Sequence, residues 1–139
     1  MFKKIVHASD GSEPAFNALK MAVELAKREQ AELHMVCVEE LPNVPDYIED
    51  VRLATETADA RFKAVLSRAR KIAEEAGVAL ETHVLVGHPA RDVVNFAENA
   101  KADLLVIGAT GHTAIYERLI GSRADRIVQL ARCPVLVVK

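Results

Sequence analysis

The chain has 139 residues, a length suited to one domain that buries a core of its own. Half of those residues are hydrophobic but only 4% are aromatic, so the core must be aliphatic, built from Val, Ile, Leu and Ala. A net charge of −2 leaves no electrostatic footprint for nucleic acid or an anionic membrane, and no apolar run approaches the ~20 residues of a membrane span.

The opening MFKKIVHASDGS carries a basic pair but neither an apolar run of signal-peptide length nor a small-residue cleavage site, so a cytoplasmic chain is expected. Lys3 to Ser9 reads as a strand that ends at Asp10-Gly11. A helix follows from about Glu13 to Glu29, with Ser12 placed to cap it and Pro14 in the first turn, where a missing N–H costs little. Phe16, Leu19, Ala22, Val23 and Ala26 recur at helical spacing along it. Leu33 to Val38 is a second strand, and the acidic stretch EELPNVPDYIED with Pro42 and Pro45 reads as a mobile loop.

A long helix is expected from about Val51 to Ala76, apolar along Ala58, Phe62, Val65, Leu66, Ala69, Ile72 and Ala73, and stopped by Gly77. Leu80 to Val86 is a third strand, Pro89 to Asn99 a short helix with Val93, Val94 and Ala97 inward, and Asp103 to Ile107 a fourth strand. Ser122 to Arg132 is a last helix and Pro134 to Val138 a fifth strand. Alternating strands and helices define an α/β domain spanning 1–139: a five-stranded, parallel, doubly wound sheet with helices on both faces. The unbroken apolar runs LLVIG and PVLVV suit strands buried on both sides. Cys37 and Cys133 lie in apolar strand-like runs and read as buried free thiols rather than a disulfide or a metal pair.

Ligands of such folds sit beyond the carboxyl ends of strands, where successive connections diverge to opposite faces. Strand one ends in Ser9-Asp10-Gly11-Ser12 and strand four in Gly108-Ala109-Thr110-Gly111. Glycines there can take positive φ and let a ligand approach the backbone. Gly121-Ser122 opens the last helix, and Ser122 with Asp125 has the spacing of a capping box. Free N–H groups and the positive end of the helix dipole favour an anion at such a start. Together these features point to phosphate. Neither a G-x-x-x-x-G-K-[ST] loop nor a G-x-G-x-x-G after strand one is present, which excludes the P-loop and leaves a dinucleotide fold unsupported.

The stretch GATGHTAIYERLIGS has the form G-x2-G-x9-G-S and resembles the ATP-binding motif of the universal stress protein family. DGSEPA after strand one, GHPARDVV after strand three, ADLLVIGATGH and the terminal CPVLVV add to the likeness, which spans essentially the whole chain. The resemblance implies strand order 3-2-1-4-5, placing strands one and four side by side. It implies that Asp10 lies near the nucleoside, with Ala8, Ser9 and either Val38 or Val36 beside the base. Gly108 and Gly111 would pass the ribose and phosphates, and Gly121, Ser122 and the Arg123 backbone would hold the phosphates. It further implies a homodimer in which the C-terminal strand pairs with its own copy. Two departures stand out: His7-Ala8-Ser9-Asp10 replaces the more usual V-P-V-D, and Arg123 replaces a small or apolar residue.

The remaining histidines divide by position. His112, in the glycine loop, is a candidate phosphate contact; His7 reads as a satisfied, partly buried strand residue; His88 shapes the turn before Pro89. His34 and His83 alternate with apolar neighbours and suggest polar strand faces. The five histidines show no H-x-x-x-H or C-x-x-C spacing, so no dedicated metal site is expected, although Mg²⁺ can ride on ATP phosphates. No catalytic residue is expected. The leading reading is an ATP-binding regulatory or sensory homodimer; a slow ATPase using Asp10 as base, and a nucleotide-free dimerisation module, are the alternatives. Neither the stress that engages the protein nor its client is written in the sequence.

Overall fold

The computed structural model describes residues 1–41, 48–110 and 120–139, with the backbone alone for 48–50. The elements alternate in chain order: β1 (Lys4–Ala8), α1 (Glu13–Glu29), β2 (Glu32–Glu40), α2 (Ile48–Glu75), β3 (Leu80–Gly87), α3 (Pro89–Asn99), β4 (Leu104–Gly108), α4 (Ser122–Leu130) and β5 (Val135–Val138). The five strands form one sheet in the order β3-β2-β1-β4-β5, every neighbouring pair parallel. The expected fold and strand order are both present. Among the described residues no helix is long and apolar enough to cross a membrane.

Two aliphatic layers sandwich the sheet. On one side Ile5, Leu33, Met35, Cys37, Leu104 and Val106 meet Phe16, Leu19, Ala22 and Val23 of α1 and Ala58, Phe62, Ala69 and Ala73 of α2. On the other, Val6, Val36, Val38, Leu105 and Ile107 meet Val93, Val94 and Ala97 of α3 and Ala124 and Ile127 of α4. Phe62 is 1% exposed, and burying such a side chain stabilises by roughly 1.5–3 kcal/mol. Arg68 of α2 reaches Glu13 through two hydrogen bonds of 2.6 and 3.0 Å and lies 3.9 Å over the Phe16 ring, clasping α2 to α1.

The helix ends follow local chemistry. Ser12 caps α1, its hydroxyl accepting the Ala15 N–H at 3.3 Å. Gly77 ends α2 at φ +74°, where a side chain would be strained. Gln30 and Lys101 adopt the same left-handed conformation after α1 and α3 without being glycine, at φ 54° and 57°. Before α3, the Asp92 carboxylate folds back to accept the His88 N–H at 2.8 Å. A Cβ on Gly87 would collide with that carboxylate, which explains the glycine of GHPARD sterically.

Several boundaries differ from expectation. The long helix begins at Ile48 rather than Val51, taking in residues expected in the acidic loop; residues 42–47 of that loop lie outside the described set. The last helix stops at Leu130, because Ala131 is already extended (ψ 143°). Cys37 is fully buried but Cys133 only half so, a departure from the expectation for the second thiol; both are free. His34 is not on an open polar face: it is 7% exposed and packs with His83 against Phe96 of α3.

Candidate functional site

Because α1 leaves β1 for one face of the sheet and α4 leaves β4 for the other, a crevice opens between the ends of these paired strands. A cavity of about 210 Å³ occupies it. Ala8, Ser9 and Asp10 enter from the end of β1, Gly108, Ala109 and Thr110 from the end of β4, and Gly121, Ser122 and Arg123 from the start of α4. Val38, Pro89, Val93, Ile107 and Ile127 supply apolar walls, and Arg61 of α2 stands at the rim. Val36 is wholly buried and not part of the lining, so of the two valines named from sequence it is Val38 that reaches the cavity. Gly111 and His112 lie outside the described residues.

The polar residues at the end of β1 are bound to one another. Asp10 Oδ1 accepts the Ser12 N–H at 3.0 Å and the Ser12 hydroxyl at 2.5 Å, and Ser9 Oγ accepts the Gly11 N–H at 3.1 Å. Asp10 is therefore both a turn-forming residue and a wall of the cavity. Between them, Gly11 adopts φ +80°, and a Cβ there would press within 2.8 Å of Val65. Among the described glycines at the crevice, this one, and not Gly108 or Gly121, has a backbone that demands the absence of a side chain.

The β4 and α4 glycines have other reasons. Gly108 does not use its freedom to take positive φ; a Cβ on it would meet the Pro14 carbonyl oxygen at 3.3 Å, so its bareness lets the start of α1 close over β4. Gly121 is at φ −60°, ψ 154°, ordinary for any residue, and among the described residues a Cβ there would meet only Ala109 O at 3.4 Å and Thr110 Cα at 3.7 Å. The helix cap also differs from the expected one. Gly121 is the N-cap and Ser122 the first helical residue, so the Ser122–Asp125 spacing is displaced by one position and no side chain caps α4. Asp125 instead accepts from Gln129 Nε2 at 3.0 Å. Gly121 donates its own N–H to Ala109 O at 2.7 Å, and the first helical bond runs from Asp125 N–H to Gly121 O at 2.9 Å. The N–H groups of Ser122, Arg123 and Ala124 thus have no acceptor within the helix, and they open at the cavity with the positive end of the dipole.

Beneath the crevice, on the α1 side, His7 is 0% exposed rather than partly buried. Its Nδ1 lies 2.9 Å from the Val106 carbonyl oxygen, while Nε2 has no hydrogen-bond partner among the described residues. Burial pushes the imidazole down to about 4, against the opposing pull of the Val106 bond and the Asp10 charge. The cavity residues that sequence reasoning missed are chiefly Arg61, Thr110, Pro89 and Val93. Pro89 and Val93 had their signal in the GHPARDVV segment, whereas Arg61 sits on a helix whose sequence does not show which way it faces.

This is a doubly wound α/β domain with an anion-suited helix start beside an acidic strand end at the switch point. The model of the universal stress protein family matches residues 1–139, and the chain belongs to that family. A universal stress protein of Methanocaldococcus jannaschii is 41% identical over 141 residues, covering 100% of this chain and 83% of the relative. Among solved structures, a universal stress protein in complex with cAMP is 28% identical with a TM-score of 0.76, over 99% of this chain and 97% of its own. One from Archaeoglobus fulgidus in complex with dAMP is 28% identical with a TM-score of 0.66, over 100% and 98% respectively.

Proposed function

We propose that this chain binds ATP in the crevice between β1 and β4 and acts in the cytoplasm as a regulatory or sensory homodimer rather than as an enzyme. The observation that carries the reading is Gly121. Its backbone conformation and its described neighbours would accept a side chain, and the bare backbone suits a ligand that approaches from the cavity. The adenosine would lie against Ala8, Val38, Pro89 and Val93 with Asp10 and Ser9 at its ribose. The cavity of about 210 Å³ is below the ~300–1,000 Å³ of a pocket that encloses a drug-sized ligand. The phosphates would accordingly run out along the start of α4, where Ser122 and Arg123 are exposed. There the N–H groups of Ser122 and Arg123 would receive them, with the Arg123 side chain and Gly108 alongside; Gly111 and His112 complete the proposed set. Mg²⁺ would be held through the phosphates, Asp10 being the only carboxylate among the described lining residues. That two related proteins form complexes with cAMP and dAMP supports a nucleotide as the ligand. Asp10 is poorly placed as the base of an ATPase, since one oxygen is committed to Ser12 twice over. Unpaired thiols suit a reducing compartment.

The test is calorimetry with ATP and AMP on wild type and Gly121→Val. Hydrogen bonds to charged groups contribute ~1.5–3 kcal/mol each, and each ~1.4 kcal/mol is tenfold in affinity. Losing two should weaken ATP about a hundredfold while AMP changes far less, and ligand-free stability should fall by no more than about 1 kcal/mol. Gly77→Ala, remote from the cavity, should leave ATP affinity alone. Equal affinities for ATP and AMP in the wild type, or ATP binding untouched in Gly121→Val, would remove the phosphate site. A protein that purifies without nucleotide and binds none would instead be a dimerisation module.

A further inference from the structure

Two E-x-H triplets, Glu32-Leu33-His34 on β2 and Glu81-Thr82-His83 on β3, lie on adjacent strands in parallel register, with His34 opposite Glu81 and Val36 opposite His83. Residues two apart on a strand share a face. Glu32, His34, Glu81 and His83 therefore converge on one side of the sheet, the side covered by Phe96 of α3. Glu32 Oε1 lies 2.8 Å from His34 Nε2. A carboxylate can only accept, so this nitrogen carries the proton, and a singly protonated His34 ring has its lone pair at Nδ1. That lone pair faces His83 Nε2 at 3.0 Å and Glu81 Oε2 at 3.3 Å. His83 can donate to it, but the Glu81 oxygen cannot; a ring lone pair and a carboxylate oxygen face each other, an arrangement completed either by a second proton on His34 or by a metal cation.

We propose that His34 Nδ1, His83 Nε2 and Glu81 Oε2 form a site for a borderline divalent transition-metal ion such as Zn²⁺, with Glu32 fixing the His34 ring. One ligand atom from each of His34, Glu81 and His83 lies within 4.8 Å of the other two. Metal–nitrogen and metal–oxygen distances near 2.0–2.1 Å at tetrahedral angles require ligand separations of about 3.3 Å. The His34–Glu81 edge already has that length, and the His34–His83 edge needs to open by only a few tenths of an ångström. Two imidazoles and a carboxylate select Zn²⁺, Co²⁺ or Ni²⁺ over Mg²⁺ or Ca²⁺. The carboxylate behind His34 is the usual outer partner of a metal-bound histidine. Glu81 is 64% exposed, which leaves an entry path and a position for water. Such an ion would tie the edge strand β3 to β2, well away from the nucleotide crevice and independent of it.

The probe is Co²⁺, then Zn²⁺, titrated into chelator-treated, nucleotide-free protein from which any histidine tag has been removed. Visible ligand-field absorption should saturate at one equivalent of Co²⁺ and be displaced by Zn²⁺. Thermal unfolding should rise by roughly 5–10 °C at a Zn²⁺ concentration about 100-fold above Kd. His83→Gln and Glu81→Gln should each weaken Zn²⁺ at least tenfold, and Glu32→Gln by ~10–100-fold. His88→Gln, on the loop before α3, should change nothing. His34→Gln alters a buried side chain, so the variants at half-exposed His83 and exposed Glu81 decide the matter if it misfolds. Absence of a Co²⁺ spectrum in the wild type, or stoichiometric Zn²⁺ binding that survives His83→Gln and Glu81→Gln, overturns the site.

Discussion

A neutral imidazole that donates through Nδ1 to the Val106 carbonyl presents a lone pair at Nε2, and at His7 that lone pair is buried without a partner among the described residues. The ring consequently stays neutral in the folded chain down to about pH 4, whereas in the unfolded chain it takes a proton near 6.5. Between those values the unfolded state binds more protons, so stability rises with pH through that window and the contribution is whole above it. From pH 7 to pH 5 this residue should cost about 2 kcal/mol, and approaching 3 kcal/mol by pH 4. His7→Asn keeps a donor for Val106 but cannot titrate. Urea unfolding at pH 7 and pH 5 should show a drop in the wild type that the variant lacks; parallel pH dependence in both would assign the effect to other groups. The same residue marks a limit of sequence reading. His7 sits in KIVHA, where strand periodicity places it inward, but whether its second nitrogen finds a partner depends on packing from α1, which no local pattern encodes. The glycines behave similarly. Gly108 and Gly121 line the cavity, yet only geometry separates Gly11, held by its own φ, from Gly108, held by Pro14, and from Gly121, held by neither.

Among the elements, β5 is the conspicuous edge. All four of its residues are half-buried, and Val128 and Leu130 of the neighbouring α4 are 44% and 39% exposed. The carbonyls of Pro134 and Val138 accept N–H groups at the β4 side (from Leu105 at 2.9 Å and Ala109 at 2.8 Å). By the two-residue alternation of a strand, Val135 and Val137 turn their backbone groups to the open side. An uncovered apolar edge of this kind invites a second strand, and the proposed homodimer would use it. Light scattering at micromolar concentration should report a dimer for the wild type. Val137→Pro removes an outward N–H while sparing the bonds to β4, and should give a folded monomer. A wild-type monomer, or a proline variant that remains dimeric, would place any assembly elsewhere. The elements themselves were legible because their signals are local: Phe16, Leu19, Ala22, Val23 and Ala26 sit at helical spacing and all are buried. The start of α2 was not, because acidic residues 49 and 50 suit a loop and a helix first turn equally well. The strand order needed the family resemblance, since alternating strands and helices are compatible with several orders.

Across the whole molecule, the two aliphatic layers are separate packing units joined through the sheet, and the crevice draws on both, with Ala15 from α1 on the first side and Val93 and Ile127 from the second. A nucleotide held there would oppose the opening of either. The protein also carries a means of timing that opening. Cys37 lies on the interior strand β2 at 0% exposure, and burial, with the Asp10 charge, pushes its thiol up to about 12. A thiol that is neither accessible nor ionised reacts only when the sheet comes apart. With Cys133→Ser leaving this single thiol, modification by an aromatic disulfide reagent should be slow and should accelerate with urea in parallel with global unfolding. Saturating ATP at about 100-fold above its Kd should slow it about a hundredfold. Labelling that is rapid and indifferent to urea would mean that β2 breathes locally. The chain contains no tryptophan to report its own unfolding; its buried sulfur can serve as the clock instead.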